Sequence, residues 1–147
     1  MFFGRYEHSL DAKGRVVLPA RFRLSFDSQA YLTQYLDGCL ALWTPEEFGK
    51  RLAEYSQAQA RSSADRNLAR VWAAGSQEVE IDRQGRLALP QHLKEFAQLD
   101  RNVLVVGAME RIELWDPTQW EARVRPAELN LTDPVDVASA PLDDSGS

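Results

Sequence analysis

Extended apolar stretches alternate with turn residues from the beginning of this chain. An extended stretch covers Phe3–Leu10, and the run Val16–Leu18 follows the five residues Asp11–Arg15. Gly14 supplies the positive φ that a short hairpin turn requires, and Asp11 can accept hydrogen bonds from backbone N–H groups of the turn. We therefore predict a strand, a tight turn and a second strand here.

The same pattern occurs twice. Residues 10–19 and 81–90 share Asp, Gly, Arg, Leu and Pro at a constant offset of 71 positions, and residues 40–45 match residues 112–117 at an offset of 72. Two matches in the same order indicate an internal duplication. A single repeat of about 50 residues buries too little surface to be comfortably stable alone. We therefore predict that the two repeats form a pseudo-dimer around one β core.

Each repeat predicts the same further elements. Pro19 stands where a short helix begins, since proline is tolerated in the first helical turn. A hairpin follows, with Tyr31, Leu32 and Leu36 on one strand and Leu40–Trp43 on the other. The second repeat predicts strand Val79–Ile81, turn Asp82–Arg86, strand Leu87–Leu89, helix Gln91–Phe96 and a hairpin of Val103–Val106 with Ile112–Trp115.

A helix signal closes each repeat. Thr44 is a typical N-cap and Pro45 a typical first helical residue, and Asp116-Pro117 repeats the pair. Helical composition continues through residues 56–75. The predicted organisation is a first repeat over 1–55, a helical connector over 56–75, a second repeat over 76–125 and an acidic, disordered tail over 126–147.

The charge distribution changes how the acidic composition is understood. The formal net charge is −5 and the isoelectric point is near 5.1, whereas nucleic-acid-binding domains commonly have values above about 9. All 17 basic residues lie in residues 1–125, together with 17 acidic ones, and the last 22 residues contain five acids and no base. The repeats are therefore neutral, and the net charge belongs to the tail.

Several classes of protein are disfavoured. The single cysteine, Cys39, excludes an internal disulfide, and the N-terminus lacks the features of a signal peptide. The longest apolar stretch, Val103–Met109, is far shorter than the ~20 residues that cross a bilayer. We expect a cytoplasmic protein that makes no membrane contact.

Catalytic and metal-binding patterns are not found in the sequence. It has no Gly-rich phosphate loop and no nucleophile elbow, and His8 and His92 are isolated. We interpret Cys39 as a buried small hydrophobe. The prediction is a protein that is not an enzyme and has no metal site, no cofactor and no small-molecule substrate.

Basic residues cluster where each repeat turns. Two windows free of acidic residues begin at the turns and contain Lys13, Arg15, Arg21 and Arg23 in the first repeat and Arg83, Arg86 and Lys94 in the second. A polarised surface of this kind can bind phosphates despite an acidic isoelectric point. An exposed ion pair within each turn is the simpler explanation, but it is worth only ~0–1 kcal/mol. The pattern leaves nucleic-acid binding and a protein-binding or assembly surface both open.

The N-terminal sequence MFFGRYEHSLDAKGRVVLP, with a second DRQGR about 70 residues later, resembles the bacterial MraZ family over residues 1–125. Each repeat resembles an AbrB/SpoVT-type half-domain. The resemblance implies an α+β fold, in which duplicated halves interleave as a swapped-hairpin β barrel with peripheral helices. It also implies a sequence-specific transcriptional regulator of the division and cell-wall gene cluster, associated with the nucleoid. Such a regulator binds repeated G-rich boxes in double-stranded promoter DNA as a ring-like homo-oligomer.

The resemblance assigns DNA contact to the two Asp-x-x-x-Arg turns. Arg15 and Arg86 are then the principal cations, Lys13 and Arg83 lie in the same turns, and Arg21 and Arg23 hold phosphates. We assign Asp11 and Asp82 to shaping the turns and orienting the arginines, because a carboxylate facing a phosphate would repel it. Gly14 and Gly85 are assigned to turn shaping, because glycine tolerates a positive φ.

A second function remains as the alternative. AbrB-like halves also occur in antitoxins, in which a disordered tail wraps a protein partner, and the acidic residues 126–147 fit such a protein-binding module.

Overall fold

Eight strands form two antiparallel sheets in the computed structural model, which describes residues 1–132. The larger sheet has six strands in the order β1-β7-β8-β4-β3-β5, and β2 pairs with β6 in a separate ladder. The strands are β1 (Phe2–Ser9), β2 (Arg15–Val17), β3 (Gln29–Gln34), β4 (Leu40–Trp43), β5 (Gln77–Glu80), β6 (Arg86–Ala88), β7 (Asn102–Met109) and β8 (Arg111–Trp115).

Every strand of one repeat pairs with a strand of the other repeat. β1 pairs with β7, β4 with β8, β3 with β5 and β2 with β6, so each of these ladders joins one repeat to the other. The register places Ala41 opposite Glu113 and Val16 opposite Leu87, which are equivalent positions of the duplication. Exchanging the equivalent strands of the two repeats gives the same strand order, read from the opposite edge of the sheet. The duplication therefore produces a pseudo-twofold arrangement within one chain.

The α+β class is confirmed, whereas the closed barrel is not formed. The six-stranded sheet is open, with β1 and β5 at its edges. β2 and β6 are only three residues long, and they pair with each other instead of bridging those edges. The turns before β2 and β6 also differ from simple hairpins, because β1 pairs with β7 and β5 with β3.

Residues 1–132 also form six α-helices. They are α1 (Ala20–Arg23), α2 (Pro45–Ala58), α3 (Ser63–Gly75), α4 (Gln91–Phe96), α5 (Pro117–Arg123) and α6 (Glu128–Thr132). The side chain of Thr44 accepts a hydrogen bond from the Glu47 N–H at the start of α2. Residues 59–62 interrupt the helical connector, and Ser62 caps α3 by accepting from the Asp65 N–H. α2 begins at the position equivalent to the start of α5, whereas α3 occurs once, between the repeats.

The core lies between the two sheets and combines both repeats. Phe22 and Leu93, at equivalent positions of α1 and α4, are both almost completely buried. The core also contains apolar side chains of β2, β4, β6, β7 and β8, among them Val16, Leu40, Leu42, Leu87, Val103, Val105, Ile112 and Leu114. The interior therefore depends on both repeats, which agrees with the small size of either one.

The chain forms two compact units, Met1–Asp116 and a C-terminal unit that begins at Pro117. In the second unit, Arg125 forms ion pairs with Glu121 and Glu128. Residues 125–127 form a 3-10 turn and α6 follows it, so residues 126–132 are helical where the sequence suggested a disordered tail. Pro126 and Glu128 favour this start, since proline and an acid suit the first helical turn. Residues 133–147 of the predicted tail lie outside the described residues.

Candidate nucleic-acid interface

Asp11 organises the first turn through its side chain and backbone. Its Oδ1 accepts hydrogen bonds from the backbone N–H groups of Lys13 and Arg15, both at 2.9 Å. Its carbonyl accepts from the Gly14 N–H at 2.9 Å, and Gly14 has a φ of +73°. The carboxylate thus replaces backbone partners in a turn too tight for regular pairing.

The second turn reproduces this geometry. Asp82 Oδ1 accepts from the N–H groups of Gln84 and Arg86 at 2.9 Å each, and the Asp82 carbonyl accepts from Gly85 at 2.9 Å. Gly85 has a φ of +79°. Every equivalent bond agrees although Gln84 replaces Lys13, so the geometry of the turn does not depend on that side chain.

The other carboxylate oxygen of each aspartate holds the arginine. Arg15 Nε lies 2.7 Å from Asp11 Oδ2, and Arg86 Nε lies 2.8 Å from Asp82 Oδ2. Hydrogen bonds from the arginine backbone N–H, and then from its side chain, lower the pKa of each aspartate below its usual value. The carboxylates are therefore ionised at neutral pH.

The arginines keep their terminal nitrogens available. Within residues 1–132, Nε makes the only side-chain hydrogen bond of Arg15 and of Arg86. Their side chains are 27% and 31% exposed. The two Nη groups can therefore act as a bidentate donor toward an acceptor pair on a ligand.

The β2–β6 ladder brings the two turns together. Arg15 lies opposite Ala88, and Arg86 lies opposite Val17. Beyond the ladder, the Leu18 N–H donates to the Gly85 carbonyl at 2.8 Å, and the Leu89 N–H donates to the Gly14 carbonyl at 3.0 Å. Each turn is therefore bonded to the segment that leads into the short helix of the other repeat.

Arg23 lies against the turn of the second repeat. Its side chain crosses the face of Gly85, with Cδ 2.6 Å from the position that a Cβ atom would occupy there. Arg23 Nε donates to the Leu18 carbonyl at 2.9 Å, which anchors the side chain. Arg23 belongs by sequence to the acid-free window of the first repeat, but the structure places its side chain beside the second turn.

The sequence prediction of the site omitted Lys94, a basic residue that lies beside the first turn. Its Nζ lies 3.1 Å from the position that a Cβ atom of Gly14 would occupy. Lys94 stands 71 residues after Arg23, so the duplication itself could have identified it.

The other predicted cations have different surroundings. Arg21 lies over the Phe3 ring at 4.3 Å and donates to the Tyr6 hydroxyl, so it contacts β1. Lys13 and Arg83 lie in the turns themselves, and neither side chain forms an ion pair with any described residue. His92, at the position equivalent to Arg21, lies 3.2 Å from the Gly75 carbonyl through Nε2.

Features that would support other functions are few. In the described part of the chain, no group of three or more His, Cys, Asp or Glu residues could hold a metal ion. Cys39 is buried, and burial raises the pKa of its thiol well above the usual range. A thiol held in the neutral form is a poor nucleophile. Residues 1–132 also contain no helix with the length and apolarity needed to span a membrane.

Comparison with known proteins places the chain in a family. A family model described as "MraZ protein, putative antitoxin-like" matches residues 1–71 and again 72–139. The protein named transcriptional regulator MraZ of Acetivibrio thermocellus is 40% identical over 122 residues, covering 83% of this chain and 85% of the relative. Its namesake from Heliobacterium modesticaldum is 42% identical over 121 residues, with 82% and 84% covered, respectively. With two matches of one family model and relatives aligned over most of their length, this chain belongs to the MraZ family.

Proposed function

We propose that this protein is a sequence-specific, DNA-binding transcriptional regulator that reads double-stranded promoter DNA through its two Asp-x-x-x-Arg turns. One observation carries the proposal: two turns with matching hydrogen bonds lie at the two ends of one short ladder, and each presents an arginine whose Nη groups are available. The relatives are named transcriptional regulators, which supports the same function.

The proposed mechanism follows from how the arginines are held. Because the aspartate occupies Nε, Arg15 and Arg86 each present a planar pair of donors that matches O6 and N7 of guanine. A good bidentate pair contributes about 1–3 kcal/mol of discrimination against the wrong base. G-rich boxes suit such donors. Lys13, Arg83, Arg21 and Arg23 contact phosphates, which sets the register of the protein on the duplex.

We further propose that the two repeats correspond to the two halves of an AbrB/SpoVT-like unit joined in one chain. The support is that cross-repeat ladders occur in both sheets. In this arrangement a single chain carries both reading turns of a pseudo-dimer.

Two turns are few for specific recognition, and we propose that a ring-like homo-oligomer places several pairs on successive boxes. Two different apolar surfaces support a head-to-tail contact. One lies around α3 and the turn after β3 and includes Leu36, Leu68, Val71 and Phe96. The other lies at the β1–β7 edge, where Met1, Phe3 and Met109 are exposed. Unlike surfaces that join head to tail form a ring when the rotation between neighbouring copies closes.

The proposed biological setting is a cytoplasmic, nucleoid-associated regulator of the division and cell-wall gene cluster. Mapping of chromosomal binding sites in the source bacterium tests it, with enrichment expected upstream of that cluster at repeated G-rich boxes. Binding spread evenly over the chromosome would contradict the proposal. Mass measurement of the protein, alone and on a promoter fragment with repeated boxes, tests the oligomer.

The direct test is the affinity for a G-box fragment as a function of salt. We expect Arg15→Ala and Arg86→Ala each to reduce specific affinity by about 10-fold or more, since each removes a bidentate contact. The wild-type affinity falls steeply with salt, because phosphate contacts release counterions. Lys50→Ala, which removes a cation of α2 outside the turns, is the control. A salt-independent affinity, or turn variants that bind like the wild type, would sink the proposal.

The second candidate function is an antitoxin-type protein-binding module, which the antitoxin-like description of the family favours. In this case the acidic residues 126–147 capture a protein partner. The full chain and a chain ending at residue 125 are compared as baits. Loss of a specific partner with unchanged DNA binding would favour this candidate, and equal capture by both chains would remove its support.

A further inference from the structure

We infer that each reading turn is completed by a cation from the short helix of the opposite repeat, so that Lys94 and Arg23 contribute to the DNA sites of Arg15 and Arg86, respectively. The ligand of each added cation is a phosphate group of the duplex next to the base that the arginine reads. This inference rests on the proposed function and adds Lys94 to the residues that carry it.

Hydrogen bonds between the two repeats bring each short helix to the turn of the other repeat. The segment after β2 bonds to the second turn through Leu18 and Gly85, and the segment after β6 bonds to the first turn through Leu89 and Gly14. Because α1 and α4 follow these segments directly, each helix begins beside the turn of the other repeat. Each helix therefore places its cation beside the turn of the other repeat, and not beside the turn that precedes the helix in sequence.

The contacts of the two glycines identify these cations. The nearest atom to a Cβ built on Gly14 is Lys94 Nζ, at 3.1 Å. The nearest atoms at Gly85 belong to the Arg23 side chain. Since 71 positions separate Arg23 from Lys94, equivalent residues of the repeats lie against equivalent glycines. Each glycine thus provides space for a cation as well as a positive φ.

Because each helix lies at the turn of the opposite repeat, the two sites have the same number of charged residues. Sequence windows assign four cations to the first repeat and three to the second. In the structure each site has three cations and one aspartate: Lys13, Arg15 and Lys94 with Asp11, and Arg23, Arg83 and Arg86 with Asp82. Arg21 is the cation left over, and it packs on Phe3. Two sites of equal charge suit repeated boxes better than the unequal windows do.

The two added cations differ in how firmly they are held. Arg23 is anchored to the Leu18 carbonyl through Nε. The Lys94 ammonium makes no hydrogen bond or ion pair with residues 1–132. A preorganised guanidinium loses less conformational freedom on binding than a mobile ammonium does. The second site therefore fixes its phosphate more rigidly than the first.

Lys94→Ala is the central experiment, with binding measured on a G-box fragment and on random duplex of the same length. Loss of a phosphate contact lowers both affinities by the same factor and reduces the salt slope by about 1 per contact. We expect about a 5- to 10-fold loss at low salt, with the ratio between the two DNAs unchanged. Lys50→Ala is the matched lysine control and is expected to leave the slope unchanged.

Double-variant cycles decide between pairing within and across repeats. If Arg15 and Lys94 serve one site, Lys94→Ala has a smaller effect once Arg15→Ala is present, and the pair is non-additive. Arg15→Ala and Arg23→Ala then act on different sites and are additive. Additivity of Arg15 with Lys94, together with coupling of Arg15 with Arg23, would overturn the inference.

Folding is checked by thermal unfolding of every variant. Arg23 also bonds to the Leu18 carbonyl, so Arg23→Lys is the second variant at that position, and Lys94→Arg is expected to retain binding. If Arg15→Ala and Arg86→Ala bind like the wild type, the proposed function fails. If they lose affinity while Lys94→Ala keeps the full affinity and salt slope, only the present inference fails.

Discussion

At the scale of single residues, the aspartate of each turn both shapes the turn and holds its arginine. Oδ1 of Asp11 and Asp82 receives two backbone N–H groups, and Oδ2 receives Nε of the arginine. A carboxylate satisfied by three donors presents less charge to an approaching phosphate. The sequence supports turn shaping by these residues, but it does not predict that Nε, and not the Nη groups, is the nitrogen engaged.

Acid is expected to remove the stabilisation that the two turn aspartates give to the folded chain. The pKa of Asp11 and Asp82 is lowered in the folded chain, so the unfolded chain takes up protons first as the pH falls. The stabilisation is complete above the unfolded pKa of about 3.9 and is lost as the pH falls through the folded value. The difference in free energy of unfolding between wild type and Asp11→Asn/Asp82→Asn should therefore shrink from pH 6 to pH 3.

Asp65→Asn, which removes a carboxylate of α3 outside the two turns, is the control for this titration. A constant difference for the turn variant over the same range would contradict the assignment of the two carboxylates.

Gly85 and Gly14 are expected to respond differently to alanine. Both have a positive φ, which costs about 1–2 kcal/mol for a residue with a Cβ. At Gly85 the new Cβ also displaces Arg23 from its bond to Leu18, whereas at Gly14 it meets the unbonded end of Lys94. Urea unfolding should show the larger loss for Gly85→Ala.

Gly49→Ala is the matched control, since Gly49 lies within α2 with no atom near its Cβ position. Alanine should stabilise this helix by about 0.5–1 kcal/mol. Equal losses at Gly14 and Gly85 would mean that Arg23 is not held against the second turn.

At the scale of elements, α2 and α3 form an aromatic cluster against the sheet. Phe48 stacks on Tyr31 at 4.2 Å, and Tyr55 stacks on Trp72 at 4.4 Å. The helix signal at Thr44-Pro45 predicted where α2 begins, because a cap depends only on neighbouring residues. The break at residues 59–62 was missed, since helical composition continues across it.

Loss of the cap is expected to weaken α2. Thr44→Ala removes the acceptor of the Glu47 N–H and should lower the free energy of unfolding by about 1 kcal/mol. Ser62→Ala should have a similar effect at α3, since Ser62 accepts from Asp65. Ser56→Ala, exposed within α2, is the control and should be neutral or slightly stabilising. An unchanged midpoint in urea for Thr44→Ala would contradict the role of the cap.

At the scale of the whole molecule, charge is separated along the chain. Residues 1–125 are neutral by count, and the acids beyond them produce the net charge of −5. An acidic segment joined to a DNA-binding surface can compete with phosphates for the same cations. Such competition weakens binding to random DNA most, because that binding is almost entirely electrostatic.

Removal of residues 133–147 is therefore expected to raise affinity for random duplex more than for G-box DNA. Four aspartates are lost: Asp133, Asp136, Asp143 and Asp144. The full-length chain with these four changed to asparagine has the same charge without the change in length, and it should reproduce the effect. Equal affinities and salt slopes for the three proteins would show that the segment does not compete.

The sequence by itself determined what depends on neighbouring residues and on repetition: the duplication, the strand-turn-strand segments, the cap of α2 and the separation of charge. The pairing of strands depended on the tertiary structure, because either repeat could have folded back on itself with the same hydrophobic pattern. The open sheet, in place of a barrel, results from the short β2 and β6 pairing only with each other. Lys94 lies beside the first turn for the same reason, since a cross-repeat ladder brings together residues that are distant in sequence.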